Sequence, residues 1–444
     1  MKNILVIGAG RSSGALIKYL LEYAEKNNTL VTVADGSMDA VQAKLNGHSS
    51  GKAVAFTLDN AILADQLVSV SNIVISLLPA HLHMTIASLC LKHKKTFLTA
   101  SYVSKEIESL SSEIEKEGLL FLMEMGLDPG IDHMSAMKEI DRIKALGGKI
   151  LSFKSYTGGL VAPESDDNPW HYKFSWNPRN VVLAGQGTVK YLFNGTYKLI
   201  PYHKLFSRIE KVPIDNFETF DGYANRDSLK YINTYGLSGV ETFLRGTLRG
   251  EGFCEAWDIF VQLGMTDDTY TIDSSKGMTY GQFLEMFLNE DTEVSFNSRI
   301  RTTLKTSVSN ETIQKIEWLN LYSERTIDID NGTPAAILQE ILEKKWAMSA
   351  DDKDMVVMQH QIRYELGGNI KTLFSTLVLK GTNILETAMA KTVGLPLGIA
   401  AIKILNGEIK VRGLHIPITP EIYLPVLKEL EKEGVVFQNY EVTA

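Results

Sequence analysis

The feature that most constrains the fold is an alternation filling the first 128 residues. Short apolar runs, "KNILVIG" (2–8), "LVTVAD" (30–35), "AVAFTL" (53–58), "NIVISLL" (72–78), "TFLTAS" (96–101) and "LLFLMEM" (119–125), are separated by amphipathic stretches at 13–26, 38–46, 60–70, 82–93 and 104–117. Runs that are apolar almost throughout suit parallel strands covered on both faces. Their alternation with helices predicts an α/β chain whose N-terminal part is a Rossmann-type, doubly wound parallel sheet.

The first strand runs into "VIGAGRSSG", which opens a helix. Gly8 permits the tight turn and Gly10 lets backbone approach a pyrophosphate; Ser13 takes the third position, where a small residue allows close helix–strand contact. Arg11, Ser12 and Ser13 then begin the helix, whose N-terminus offers N–H donors to phosphate. Asp35 ends the second strand, where an acid hydrogen-bonds ribose hydroxyls and repels a 2′-phosphate. The expectation is NAD(H) in preference to NADP(H), with NADP(H) still possible. "SLLP" closes the fourth strand and adds Leu77 and Leu78 as cofactor-lining candidates.

Beyond residue 148 the texture changes. "KILSFKSYTGG" reads as a strand and precedes a polar, aromatic loop; "MVVMQHQIRYEL" (355–366), "GGN" and "IKTLFSTLVLKG" (370–381) read as a hairpin. The expected organisation is a dinucleotide-binding domain at 1–128, with about 385–444 packing back on it. A mixed α/β domain is expected at 129–226 and 351–384, with a mostly helical insertion at 227–350. The net charge of −8 argues against nucleic acid or an anionic membrane as partner. No apolar run reads as a membrane span, and the start of the chain shows no export leader, so a cytoplasmic protein is expected. Two cysteines, Cys90 and Cys254, form no CxxC, and His81 with His83 lacks a third ligand at sensible spacing; no metal is expected.

Ligands of open parallel sheets sit at the carboxyl ends of the strands. "TASYVS" and "MGLDPG" lie there, making Ser101, Leu127, Asp128 and Pro129 candidates for cofactor contact. Asp128 before Pro129 also reads as a helix N-cap with proline at N1. Asp132 and His133 fall in the first turn and read as structural.

"EMGLDPGIDHM", "GGLVAPESDDNP", "YKFSW", "YANRDS", "LRGTLRGEGF", "AKTVGLP" and "IPITPEIYLPVL" resemble the saccharopine dehydrogenase family, in particular its glutamate-forming branch, also called saccharopine reductase. The resemblance spans essentially the whole chain. It implies reversible, nicotinamide-dependent interconversion of saccharopine with glutamate and 2-aminoadipate 6-semialdehyde through an imine, in lysine metabolism. It also implies a homodimer and an amino-acid substrate, with the mixed α/β domain at 129–226 and 351–384 serving as the substrate and dimerisation domain. By the same resemblance Tyr102 and Asp128 are catalytic and, with Ser101, line the substrate. Thr157 stands where the family often has cysteine, which removes any thiol chemistry. Arg226, Arg245, Gly246 and Thr247 are implied to hold the three carboxylates, a task suited to the planar guanidinium. Trp176 in "YKFSW" reads either as core or as a wall on the nicotinamide side of the cleft. The alternatives are a lysine 6-dehydrogenase or polyamine-type reductive condensation enzyme, and, in another class, a non-catalytic NAD(H)-binding sensor.

Overall fold

The computed structural model describes residues 1–290, 294–305 and 307–443. It divides into two compact units, Met1–Ile150 with Tyr364–Ala444, and Leu151–Arg363. In the first unit, strands β1 (Lys2–Ile7), β2 (Thr29–Asp35), β3 (Gly51–Ala55), β4 (Ile73–Ser76), β5 (Thr96–Thr99) and β6 (Leu120–Leu122) alternate with helices. These are α1 (Gly14–Lys26), α2 (Met38–Leu45), α3 (Ala61–Ser69), α4 (His83–Lys92), α5 (Lys105–Glu108), α6 (Ser111–Lys116) and α7 (Ile131–Ala145).

The chain then enters the second unit through β7 (Lys149–Val161), α8 (Pro178–Val182), β8 (Thr188–Phe193), β9 (Thr196–Pro201), β10 (Glu210–Pro213), β11 (Thr219–Ala224), α9 (Lys230–Thr234) and β12 (Thr242–Arg249). Helices α10 (Phe253–Leu263), α11 (Tyr280–Glu285), α12 (Phe296–Leu304), α13 (Asn310–Trp318) and α14 (Pro334–Lys345) follow, then β13 (Asp354–Leu366). The first unit is completed by β14 (Asn369–Lys380), α15 (Ala388–Leu405), β15 (Gly413–His415), α16 (Pro420–Lys432) and β16 (Gln438–Thr443).

In the first unit the order is β15-β6-β5-β4-β1-β2-β3, with parallel pairing such as Val6 to both Val33 and Ile75. The strand order reverses between β1 and β4, which opens a crevice at their carboxyl ends. Strands β1, β4 and β5 are almost wholly buried, as their unbroken apolar runs predict. β6 is shorter than its sequence suggests, because Glu124 takes φ +58° and turns the chain out of the sheet. The helix expected at 104–117 is interrupted, as α5 and α6, around Ser109 and Leu110.

The third glycine of the nucleotide fingerprint serves close helix packing, and here part of that work comes from α15. A Cβ on Gly394 would lie 2.9 Å from Leu16 N and 3.2 Å from Ser12 O, so only glycine lets α15 seat on the start of α1. By length and composition α15 could cross a membrane, but 72% of that window is buried inside the protein.

In the second unit β10, β11, β12, β7 and β13 lie in that order. β12 pairs parallel with β7 and antiparallel with β11. The aromatic loop read from the sequence is anchored in a core: Trp170 stacks on Phe260 at 5.8 Å, meets Trp346 edge-on at 5.3 Å, and donates Nε1–H to Lys315 O at 2.7 Å. The stretch 227–350 carries the expected helices but lies within this unit and also contributes β12. Residues 129–150, expected with the substrate domain, carry α7 and belong to the first unit, as do 364–384. Gly367 and Gly368, at φ +59° and +80°, turn the chain into β14, which pairs antiparallel with β16.

Candidate active site

The nucleotide turn follows β1. Gly8 adopts φ +108°, and a Cβ there would lie 3.1 Å from Leu77 backbone, so glycine lets this turn touch the end of β4. A Cβ on Gly10 would meet nothing within 4 Å, which leaves its backbone face approachable. Arg11–Ser13 form one 3₁₀ turn before α1, with Ser13 Oγ donating to Gly10 O at 2.9 Å. Leu77 and Leu78 are half-buried at the same strand ends.

Asp35 stands at the end of β2, but both carboxylate oxygens are engaged. Oδ2 accepts from Ala9 N–H at 2.6 Å and Oδ1 from Ser37 N–H at 2.8 Å. Beside it lies a cation that sequence reading missed. Lys44 Nζ donates to Ser13 Oγ at 2.7 Å and also to the Ala9 and Gly10 carbonyls. Burial lowers its pKa to about 8, against the opposing pull of Asp35.

At the ends of β4 and β5 a second missed group appears. His83, read from the sequence as a helix-start residue, is buried; its Nδ1 meets Ser76 Oγ at 2.9 Å and its Nε2 meets Ser101 Oγ at 2.7 Å. Burial, helped by the neighbouring His81, lowers its pKa to about 4. A neutral imidazole therefore orients Ser101.

Tyr102 and Asp128 are brought together, the phenol hydroxyl donating to Asp128 Oδ1 at 3.2 Å. The cap expected at Asp128 lies two residues later. α7 begins at Ile131 with Gly130 as its N-cap, because Gly126 N–H bonds Pro129 O and Ile131 N–H bonds Gly126 O, both at 2.9 Å. A side chain on Gly130, at φ +146°, would collide with Gly126 O. Leu127 and Pro129 are buried in this loop.

Beneath it sits a buried trio. Glu124 Oε2 meets His133 Nε2 at 2.8 Å, Glu124 Oε1 accepts from Val103 N–H at 3.2 Å, and Asp132 Oδ1 accepts from Gly130 N–H at 2.6 Å. His133 Nδ1 lies 3.7 Å from Asp132 Oδ2. His133 and Asp132 were legible as first-turn residues, whereas Glu124 looked like the end of a strand.

In the second unit β12 and β7 set Arg245 beside Ser155, Gly246 beside Tyr156 and Thr247 beside Thr157. Arg245 is buried with its guanidinium 4.4 Å from the Tyr231 ring centroid. A Cβ on Gly246 would lie 2.6 Å from the Tyr156 ring. Thr157 Oγ1 is buried and has no hydrogen-bond partner among the described residues. Arg226 is exposed at φ +48°, in the turn after β11. Trp176 is half-buried, its Nε1 donating to Tyr172 OH at 3.3 Å.

Arg249, at the end of β12, is 3% exposed and surrounded by the rings of Tyr172, Tyr223 and Phe253 at 5.4, 5.9 and 5.5 Å. Lys173 bridges Asp167 and Asp352 at 2.9 and 2.8 Å. Burial works to lower its pKa, but these carboxylates hold it above the ordinary value. Among the described residues no group of three or more His, Cys, Asp or Glu side chains could hold a metal.

The chain matches two family models, "Saccharopine dehydrogenase NADP binding domain" over residues 4–122 and "Saccharopine dehydrogenase C-terminal domain" over 126–435. It is 35% identical to the Saccharomyces cerevisiae saccharopine dehydrogenase [NADP(+), L-glutamate-forming] over 99% of both chains. It is also 35% identical to the mouse mitochondrial alpha-aminoadipic semialdehyde synthase, over 99% of this chain but 48% of that one. The chain thus spans about half the length of the mammalian relatives it matches. The apo structure of the S. cerevisiae saccharopine dehydrogenase (L-Glu forming) superposes with a TM-score of 0.89 at 33% identity, covering 100% of both chains. A homospermidine synthase from Legionella pneumophila shares the fold alone, at TM-score 0.57 and 10% identity.

These findings correct the NAD(H) preference expected from Asp35, since the matched nucleotide domain is an NADP binding domain. The physical reason is that Asp35 spends its oxygens on the backbone of its own turn, with the Lys44 ammonium beside it. By the two models and the full-length yeast relative, the chain belongs to the saccharopine dehydrogenase family.

Proposed function

We propose that the protein interconverts saccharopine with glutamate and 2-aminoadipate 6-semialdehyde, using NADP(H). The observation that carries this reading is the Tyr102–Asp128 hydrogen bond at 3.2 Å, set at the carboxyl end of a nucleotide-binding sheet. It is supported by a relative of the same length named for that reaction.

The residues fit the dinucleotide. Gly10 leaves its backbone face clear, the turn at Arg11–Ser13 presents N–H groups, and Lys44 with Arg11 supplies positive charge for phosphate. The bound nicotinamide would supply the hydride that reduces the C=N carbon. Tyr102 and Asp128 would move the protons that imine formation needs, one leaving the attacking amine and one joining the departing hydroxyl. Ser101, held by His83, would orient the substrate. Arg226 and Arg245, with the backbone at Gly246 and Thr247, would hold carboxylates, and Thr157 Oγ1 offers an unused buried hydroxyl.

A cytoplasmic homodimer acting on a small amino-acid substrate, with no role at nucleic acid or membrane, belongs to the same proposal. The net charge of −8 supports the last part, and size-exclusion chromatography tests the dimer. The deciding experiment is spectrophotometric turnover of saccharopine with NADP+. Formation of NADPH supports the reading, and its absence with both nicotinamide cofactors overturns it.

A further inference from the structure

The Glu124–His133 pair is buried deeper than the groups it serves. A buried ion pair adds little net stability over an apolar pair of similar volume, because desolvation offsets the attraction. Glu124 also sits at φ +58°, a region that residues with a Cβ seldom occupy. What the pair does supply is connection.

One Glu124 oxygen accepts from the backbone N–H of Val103, the residue after Tyr102, at 3.2 Å. The other meets His133 Nε2 at 2.8 Å, on the first turn of α7. Next to His133, Asp132 accepts from Gly130 N–H at 2.6 Å, two residues past Asp128. Glu124 N–H itself donates to Ser101 O at 3.1 Å. Two loops from different strands are therefore tied to one buried cluster, and their tips meet where the Tyr102 hydroxyl reaches Asp128.

We propose that Glu124 and His133 are positioning residues that hold the Tyr102 hydroxyl against the Asp128 carboxylate. The pair thereby sets the geometry of proton transfer, an inference that rests on the reaction proposed above.

The test uses the full chain carrying Glu124→Gln, His133→Asn or both, with Glu124→Asp as the variant to use should Glu124→Gln not fold. Three readouts are taken: NADPH binding by fluorescence, the phenol titration of Tyr102 by ultraviolet difference against Tyr102→Phe, and the pH profiles of kcat and kcat/KM with saccharopine. Each variant is expected to bind NADPH as the wild type does, to shift the Tyr102 titration, and to lose about 10²-fold in kcat, the usual effect of an ångström of misplacement. The double variant is expected to lose no more than the worse single one, because the two act as a unit. An unmoved Tyr102 titration in a folded variant, even with a lower melting temperature, overturns the proposal. Failure of the saccharopine reading would show instead as an inactive wild type, and the phenol titration would still decide this one.

Discussion

In the first unit Glu124, Asp132 and His133 are buried facing one another, while in the second Arg249 is buried facing the rings of Tyr172, Tyr223 and Phe253. The two burials differ in what they leave unused. Around Glu124 the carboxylate oxygens meet Val103 N–H and His133 Nε2 while Asp132 accepts from Gly130 N–H, which fixes two loops in register. Around Arg249, Nη1 donates to Leu248 O at 3.0 Å, but Nε has no hydrogen-bond partner among the described residues, and neither does Thr157 Oγ1. A guanidinium held by ring faces keeps its charge and its donors, as planar stacking allows. We propose that the first region serves geometry and the second recognition.

That contrast breaks most visibly in kinetics. Asp128→Ala is expected to bind NADPH normally while kcat for saccharopine oxidation falls about 10²- to 10⁴-fold, the range for a lost general acid–base group. Arg245→Met is expected to raise KM for saccharopine about 10- to 100-fold, the worth of a charged hydrogen bond, with less effect on kcat. If both variants moved the same parameter, the division of labour would be wrong.

Stability separates the regions next. Glu124→Met removes one side of a buried pair and is expected to cost about 3–5 kcal/mol by denaturant unfolding. Arg249→Met exchanges a guanidinium for an apolar chain among ring faces and a backbone carbonyl; it is expected to cost about 1 kcal/mol. Equal losses would show that Arg249 is a structural charge like Glu124.

His83 sharpens the first half of the comparison. Its pKa is lowered from 6.5 to about 4, chiefly by burial, so the unfolded chain binds more protons between those values. The contribution of His83 is therefore fully present above pH 6.5 and is lost as pH falls toward 4, amounting to about 3 kcal/mol. His83→Gln is expected to flatten the stability profile across that window, and an unchanged slope would remove His83 from the account.

What was legible beforehand follows the same division. The parallel strands were readable because burial on both faces leaves unbroken apolar runs, and the glycine turn because Gly8 needs both φ +108° and close approach to Leu77. Asp128 was visible from its place at a strand end, but its catalytic role, that of Tyr102 and the tasks of the arginines came from resemblance and not from spacing. β12 was hidden inside a stretch read as mostly helical, since its alternation interleaves arginine with leucine and glycine. Glu124 was hidden because a left-handed turn within "MEM" leaves no glycine to mark it. Gly394 and Lys44 act on the first turn from far along the chain, and such tertiary contacts carry no local signal. Asp35 misled for a related reason: its position was read correctly, but its partners are set by folding.

Lys44 supplies the smallest effect and the closest parallel to Arg249, because it is a cation beside a carboxylate instead of beside rings. With Asp35 engaged by Ala9 and Ser37, its ammonium is the charge we propose balances the 2′-phosphate of NADPH. Lys44→Met is expected to weaken NADPH binding about tenfold, the loss of one screened, part-exposed charge contact. Its pKa near 8, lowered by burial, gives the sign of the pH dependence. The charged form favours the phosphate, so wild-type affinity should decline as pH rises beyond about 8, and the variant should show no such decline. Fluorescence titrations with NADPH at several pH values decide it; an identical decline in the variant would assign the phosphate to another cation, with Arg11 the next to remove.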